Sequence, residues 1–273
     1  MRIMPFVADC VFTLLDTQRD GSQIYWGVWG DGTYVYAVCG DNGIRAYSFD
    51  GTTFTLLDTH LAGTRDYEGV WGDASFIYAA CRGDGIRAYS FNGTSFTLLD
   101  TQDDGGDYEC VWGDGVYLYV ACGGSAGIRA YTFNGTNFAL LDSHHAGSYY
   151  HGVWGDGTYI YVACWGDGIR AYTFDGTNFA LLDTQDDSPV GGYYHSIWGD
   201  GTYVYAACGS NGIRAYTFDG ATFTLKDTQY DGGNYFAVWG DGAYRYVACE
   251  YVGIYAYLFP QKPKLGSYAP KVY

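Results

Sequence analysis

The tripeptide Trp-Gly-Asp recurs in register at Trp29, Trp71, Trp112, Trp154, Trp198 and Trp239, with successive tryptophans of this series 41 to 44 residues apart. A repeat of that length is one supersecondary unit that cannot bury its apolar faces alone, so neighbouring copies must stack. Each copy continues with an alternating run such as Tyr34-Val35-Tyr36-Ala37-Val38-Cys39, then Gly43-Ile44-Arg45-Ala46-Tyr47. An Asp-Gly or Asn-Gly turn follows in most copies, and then a segment like Phe54-Thr55-Leu56-Leu57-Asp58-Thr59. The two-residue alternation and glycine turns predict four short strands per repeat, and no 3.6-residue period is visible. Composition agrees: 30 Tyr and 41 Gly against 2 Met favour strands and tight turns over helices.

The phase of the repeat relative to the chain ends predicts how the assembly closes. The first Phe-Thr-Leu-Leu-Asp-Thr segment, Phe12 to Thr17, precedes the first Trp-Gly-Asp, whereas the last repeat stops after Gly253-Ile254-Tyr255-Ala256-Tyr257. The last repeat lacks a fourth strand and the N-terminus carries a spare one. Pairing the two closes a ring and leaves no sheet edge open. The stretch Tyr161 to Tyr172 (Tyr-Val-Ala-Cys-Trp-Gly-Asp-Gly-Ile-Arg-Ala-Tyr) resembles the β-propeller superfamily, most closely its WD40-like and LVIVD-type repeats. The Trp-Asp dipeptide and Gly-His of true WD40 blades are absent. The expected fold is all-β: a six-bladed β-propeller of four-stranded blades over residues 1–259, with strand 11–17 completing the last blade and a C-terminal tail at 260–273. The resemblance speaks to architecture, because propellers host binding, structural and enzymatic roles alike.

Residues that recur in every blade read as structural. Six cysteines end the second strand: Cys39, Cys81, Cys122, Cys164, Cys208 and Cys249. Equivalent sites in neighbouring blades lie about 10 Å apart, beyond disulfide reach, so these thiols are expected to be buried and reduced. Cys10 and Cys110 stand outside this pattern. Arg45, Arg87, Arg129, Arg170 and Arg214 recur in the third strand, with Tyr255 in the sixth place. A four-residue hairpin loop would set Arg45 opposite Asp58, which predicts ion pairs within each blade.

The informative positions are those that differ between blades. Three residues before each tryptophan stand Trp26, Glu68, Glu109, His151, His195 and Phe236, each preceded by a tyrosine. If the N-terminal strand is outermost, these six ring the channel mouth on the face that carries the d-to-a and b-to-c connections, termed the top. Arg82, Trp165 and Glu250 join them from the b-to-c loops. All five histidines and all three glutamates map to this face. The bottom turns barely vary, and that face offers no comparable set. Glu68, Glu109, His151 and His195 form a mixture that can hold a divalent metal or serve as acid–base groups. Aromatic rings beside carboxylates equally suit a sugar or another small polar ligand. The acidic loops Asp103-Asp104-Gly105-Gly106-Asp107 and Asp186-Asp187 lack the spacing of a dedicated calcium loop.

A net charge of −16 argues against nucleic acid and anionic membranes as partners. No apolar run is long enough to span a bilayer, and Met1 to Val7 makes a poor secretory leader. Together with reduced thiols, this points to the cytoplasm or another reducing setting. The tail carries Lys262, Lys264 and Lys271, which suggests docking or oligomerisation against an acidic surface. The favoured reading is a non-enzymatic binding module without a cofactor, its top face taking a small polar ligand, such as a carbohydrate, or a protein partner. A metal-dependent enzyme using the Glu/His set and a rigid assembly subunit are the alternatives.

Overall fold

The computed structural model describes residues 15–17, 24–63, 66–147, 149–187, 192–240, 244–250 and 253–258. These residues form an all-β ring of six antiparallel sheets, a six-bladed β-propeller. Blade 1 shows the plan. Strands a (Gly27–Gly30), b (Tyr34–Val38), c (Ile44–Phe49) and d (Phe54–His60) pair in sequence order. The a strands of successive blades touch one another, so a is innermost and d outermost. Blades 2 to 5 repeat this plan. The sixth has three strands among the described residues, Asn234–Gly240, Tyr244–Glu250 and Gly253–Leu258. Most of the expected closing strand, 11–14, lies outside the described residues, as do Cys10 and the tail.

The core lies between blades, which explains why nearly every strand residue is apolar. Tyr36, Val38, Ile44 and Ala46 of blade 1 pack on Tyr67, Ile77, Ala79, Cys81, Tyr89 and Phe96 of blade 2. Tyr78 and Ala80 point the opposite way and pack on blade 3, as the two-residue period of a strand requires. The six recurring cysteines are buried and unbridged. Burial pushes the Cys81 thiol up to about 12, so it behaves as an inert apolar filler.

The Trp-Gly-Asp repeat is explained residue by residue. Trp29 stacks on Tyr36 of the adjacent strand, with ring centroids 5.7 Å apart. Its six-membered ring lies against Gly72 of the next blade, where a β-carbon would fall 2.6 Å from Cζ3. Asp31 then closes the turn: Oδ1 accepts the Thr33 and Tyr34 amides at 2.7 Å, and Oδ2 accepts the Tyr36 hydroxyl at 3.0 Å. Glycine is required here by close approach, since Gly113 meets Trp71 at the same 2.6 Å. Gly113→Ala is therefore expected to destabilise the protein by about 1–3 kcal/mol through overpacking, read as a lower denaturant midpoint. A midpoint matching the parent would show that the indole moves aside freely.

The expected Arg–Asp pairs are corrected by the structure. Each c–d hairpin carries a bulge, in blade 1 between Ala46 and Tyr47, which pairs Arg45 with Thr59 and sets Asp58 opposite Ala46. Asp58 reaches outward instead and accepts the Phe96 amide of the next blade at 2.7 Å. Asp100, Asp142 and Asp183 make the same bond to Phe138, Phe179 and Phe223, giving an outer belt that ties blade to blade. Asp16 does so to Phe54, also at 2.7 Å, so the described end of the N-terminal segment stands where a strand d would stand. The arginines turn inward. Arg87 lies 5.2 Å above the Tyr67 ring and bonds Asp84 at 3.2 Å, and Arg129 donates to the Asp104 carbonyl at 2.9 Å. They hold the top loops.

Candidate functional site

The first rung of strand a places the variable column at the top mouth. The backbone amides of Trp26, His151 and His195 donate to Val38, Ala163 and Ala207 of strand b, which fixes these three residues at the start of strand a. Two sectors result, one acidic and one aromatic.

Blades 2 and 3 make the acidic sector. Arg82 lies between the two glutamates, its Nη1 3.7 Å from Glu68 and its Nε 3.9 Å from Glu109. The Tyr149 hydroxyl donates to Glu109 at 2.7 Å and approaches Asp107 at 2.9 Å. Burial, reinforced by the nearby charge of Glu109, holds the Glu68 carboxyl at about 7, and Arg82 offsets this only in part. Glu109 is also raised by burial, against the opposing pull of Tyr149 and Arg82.

Blades 4 and 5 make the aromatic sector. Trp165 stacks on His151 at 4.8 Å and approaches Tyr193 at 4.3 Å and His195 at 5.1 Å. Phe236 extends the wall from His195 at 4.5 Å. Burial holds both imidazoles at about 4, so at neutral pH they are uncharged rings that can stack, donate and accept. Arg82, Gly124, Tyr149, His151 and Trp165 enclose a cleft of about 560 Å³ where the sectors meet. Gly123 admits the Tyr149 ring, because a β-carbon there would lie 2.0 Å from Cζ.

Trp165 is held in an unusual backbone state. Its φ is 23°, and it is the one non-glycine residue with positive φ among those described. The matching positions of blades 1 and 5 are Gly40 and Gly209, at 50° and 49°. A bulky residue in this region costs on the order of 1–2 kcal/mol, and such strain clusters at functional sites.

Seven of the nine residues expected from the sequence thus form one surface: Glu68, Arg82, Glu109, His151, Trp165, His195 and Phe236. Glu250 sits at its rim, accepting from Asn234 at 3.0 Å and raising the His195 pKa by its charge. Trp26 is 53% exposed and lines a different, apolar cavity of about 350 Å³ at the seam of blades 6 and 1, with Tyr25, Tyr47 and Ala237. Among the described residues, no three His, Cys, Asp or Glu side chains are placed to hold a metal ion. Asp103 accepts the Gly105 amide within its own loop, and Asp104 accepts the Tyr131 hydroxyl from strand c of the same blade. The bottom face is less bare than expected, with a bowl of about 730 Å³ at its own channel mouth.

Sequence comparison by blade missed Tyr149 and Tyr193. They occupy the position before each constant tyrosine, where Ile24, Asp66, Asp107, Tyr149, Tyr193 and Asn234 vary. That column is acidic in blades 2 and 3 and aromatic in blades 4 and 5, matching the two sectors.

No family model matches the sequence, and no curated protein is recognisably similar to it. Solved structures share the fold. A Lactobacillus plantarum protein superposes with a TM-score of 0.78 at 18% identity, over 86% of this chain and 80% of the other. A Bacteroides fragilis protein described as a candidate 6-phosphogluconolactonase gives 0.69 at 20% identity, over 82% and 76%. The computationally designed Ika8 protein gives 0.67 at 8% identity, over 86% and 71%. These likenesses are to the propeller fold and extend no further.

Proposed function

We propose that the protein is a binding module whose top mouth takes a carbohydrate. The supporting observation is Trp165, strained into a position that suits glycine so that its indole walls the cleft. An aromatic face can stack on the C–H face of a sugar ring, while Arg82, Glu109 and the neutral imidazoles reach its hydroxyls. The cleft, about 560 Å³, falls in the size range of small-ligand sites. Titrating the protein with a panel of neutral oligosaccharides, read by calorimetry and tryptophan fluorescence, should give saturable one-to-one binding for at least one. Absence of binding across the panel, together with capture of a protein at this face, would replace the sugar by a protein partner.

A second reading is acid–base hydrolysis, with Glu68 as the proton-transfer group. It draws on the Glu68 carboxyl poised at about 7 and on neighbours named as candidate 6-phosphogluconolactonases. A pH-stat assay on δ-lactones, showing no rate above that of Glu68→Gln, would exclude it. The metal-dependent version would require Arg82 to leave the two carboxylates it now faces.

A further inference from the structure

The bottom mouth of the channel opens into a bowl of about 730 Å³ lined by the indoles of Trp71, Trp112 and Trp154. Each indole is fixed on two sides. It stacks on Tyr78, Tyr119 or Tyr161 of its own strand b, with planes 16° or 17° apart. Its six-membered ring abuts Gly113, Gly155 or Gly199 of the next blade. All three indoles are nevertheless only half-buried, and the surface left over borders the bowl. Farther round the channel the rings close up, Trp154 to Trp198 and Trp198 to Trp239 both at 6.4 Å, so the bowl opens on the side of blades 2 to 4.

The rim is acidic, but its carboxylates are committed to the turns that carry them. Asp114 Oδ1 accepts the Val116 and Tyr117 amides, and Oδ2 accepts the Tyr119 hydroxyl. Three of its roughly four acceptor sites are therefore taken. Asp73 and Asp156 are held in the same way, with Tyr78 and Tyr161 as the hydroxyl donors. None of these donors is a cation. Asp200 differs, because Arg245 pairs with it. No lysine or arginine stands in the described a-to-b and c-to-d turns of this face.

This combination selects among cations. A primary ammonium brings three N–H donors, which need acceptors once water is stripped away, and the rim has few to give. A quaternary ammonium has no N–H. It can leave water for a bed of indoles, held by their ring quadrupoles and, at longer range, by the rim charge. We propose that the bottom bowl is a second binding site, independent of the top mouth, for a small ligand bearing a quaternary ammonium group seated among Trp71, Trp112 and Trp154.

The test is calorimetric titration of the full chain with choline, with ethanolamine, and with the uncharged isostere of choline in which carbon replaces nitrogen. Choline should bind at least tenfold more tightly than either, which separates charge from shape and quaternary from primary nitrogen. Trp112→Leu should weaken choline at least tenfold, whereas Trp165→Gly, at the top mouth, should leave it unchanged. Asp114→Asn/Asp156→Asn should weaken choline about threefold and the isostere not at all, by removing charge alone. Asparagine already closes the equivalent c-to-d turns at Asn92 and Asn134, so this variant keeps its turns and decides the matter if Trp112→Leu unfolds. Choline bound no more tightly than its isostere or ethanolamine would overturn the proposal. Loss of binding in Trp165→Gly but not in Trp112→Leu would overturn it equally, by moving the cation to the top.

Discussion

Trp165→Gly should weaken saccharide binding at least tenfold while leaving the stability of the propeller unchanged or slightly raised. The two halves of this result come from opposite properties of one residue. At φ 23° the tryptophan occupies backbone space that Gly40 and Gly209 fill in blades 1 and 5. Glycine removes a strain on the order of 1–2 kcal/mol. It also forfeits the contacts of the indole with His151 and Tyr193, which are worth a similar amount. The net effect on folding is near zero. For the ligand nothing compensates, because the wall of the cleft is gone, and losing about 1.4 kcal/mol is a factor of ten in affinity. Titration and denaturant unfolding of the same preparation decide it. Undiminished affinity would move the site away from the cleft, and a stability loss above about 2 kcal/mol would make Trp165 a packing residue.

The repeat made the architecture legible because every strand appears six times with the same alternation. Register is harder. The Arg45–Asp58 pairing follows from counting residues across an unbroken hairpin, and Leu57 breaks that count by bulging out of the ladder. Nothing in Phe-Thr-Leu-Leu-Asp-Thr announces a bulge, since Leu56 and Leu57 are equally good strand residues. The site was legible where a difference between blades coincided with a constant neighbour. The tyrosine before Glu68, Glu109, His151 and His195 is held in every blade by a hydroxyl pair with strand c, such as Tyr67–Tyr89 at 2.9 Å, and so anchors the comparison. Trp26 shares the column but not the surface, because its indole lies in the seam cavity between blades 6 and 1. Tyr149 escaped notice among thirty tyrosines, and only Gly123 hints at the space its ring occupies.

Glu68→Gln should stabilise the protein at pH 8 and leave it nearly unchanged at pH 4. In the folded protein Glu68 keeps its proton up to about 7, whereas in the unfolded chain it releases it near the ordinary glutamate value of 4.5. Between those values the folded state binds more protons, so raising the pH favours unfolding, and the penalty is complete above about 7. A tenfold difference in proton affinity between the two states corresponds to about 1.4 kcal/mol, and after allowance for the partial exposure of the site the gain is on the order of 1–3 kcal/mol. Glutamine has the same shape and no charge to desolvate. His151 and His195 act in the opposite sense: neutral in the fold down to about 4, they lose stability as pH falls below their ordinary value of 6.5. Comparing variant with parent at each pH cancels their contribution and isolates Glu68. The difference in unfolding free energy should be absent at pH 4, grow through pH 5 and 6, and level off above pH 7. A variant less stable than the parent at pH 8 would mean that pairing with Arg82 outweighs burial, so that Glu68 is ionised well below pH 7. The acidic sector would then present a fixed salt bridge to its ligand, with no proton to give.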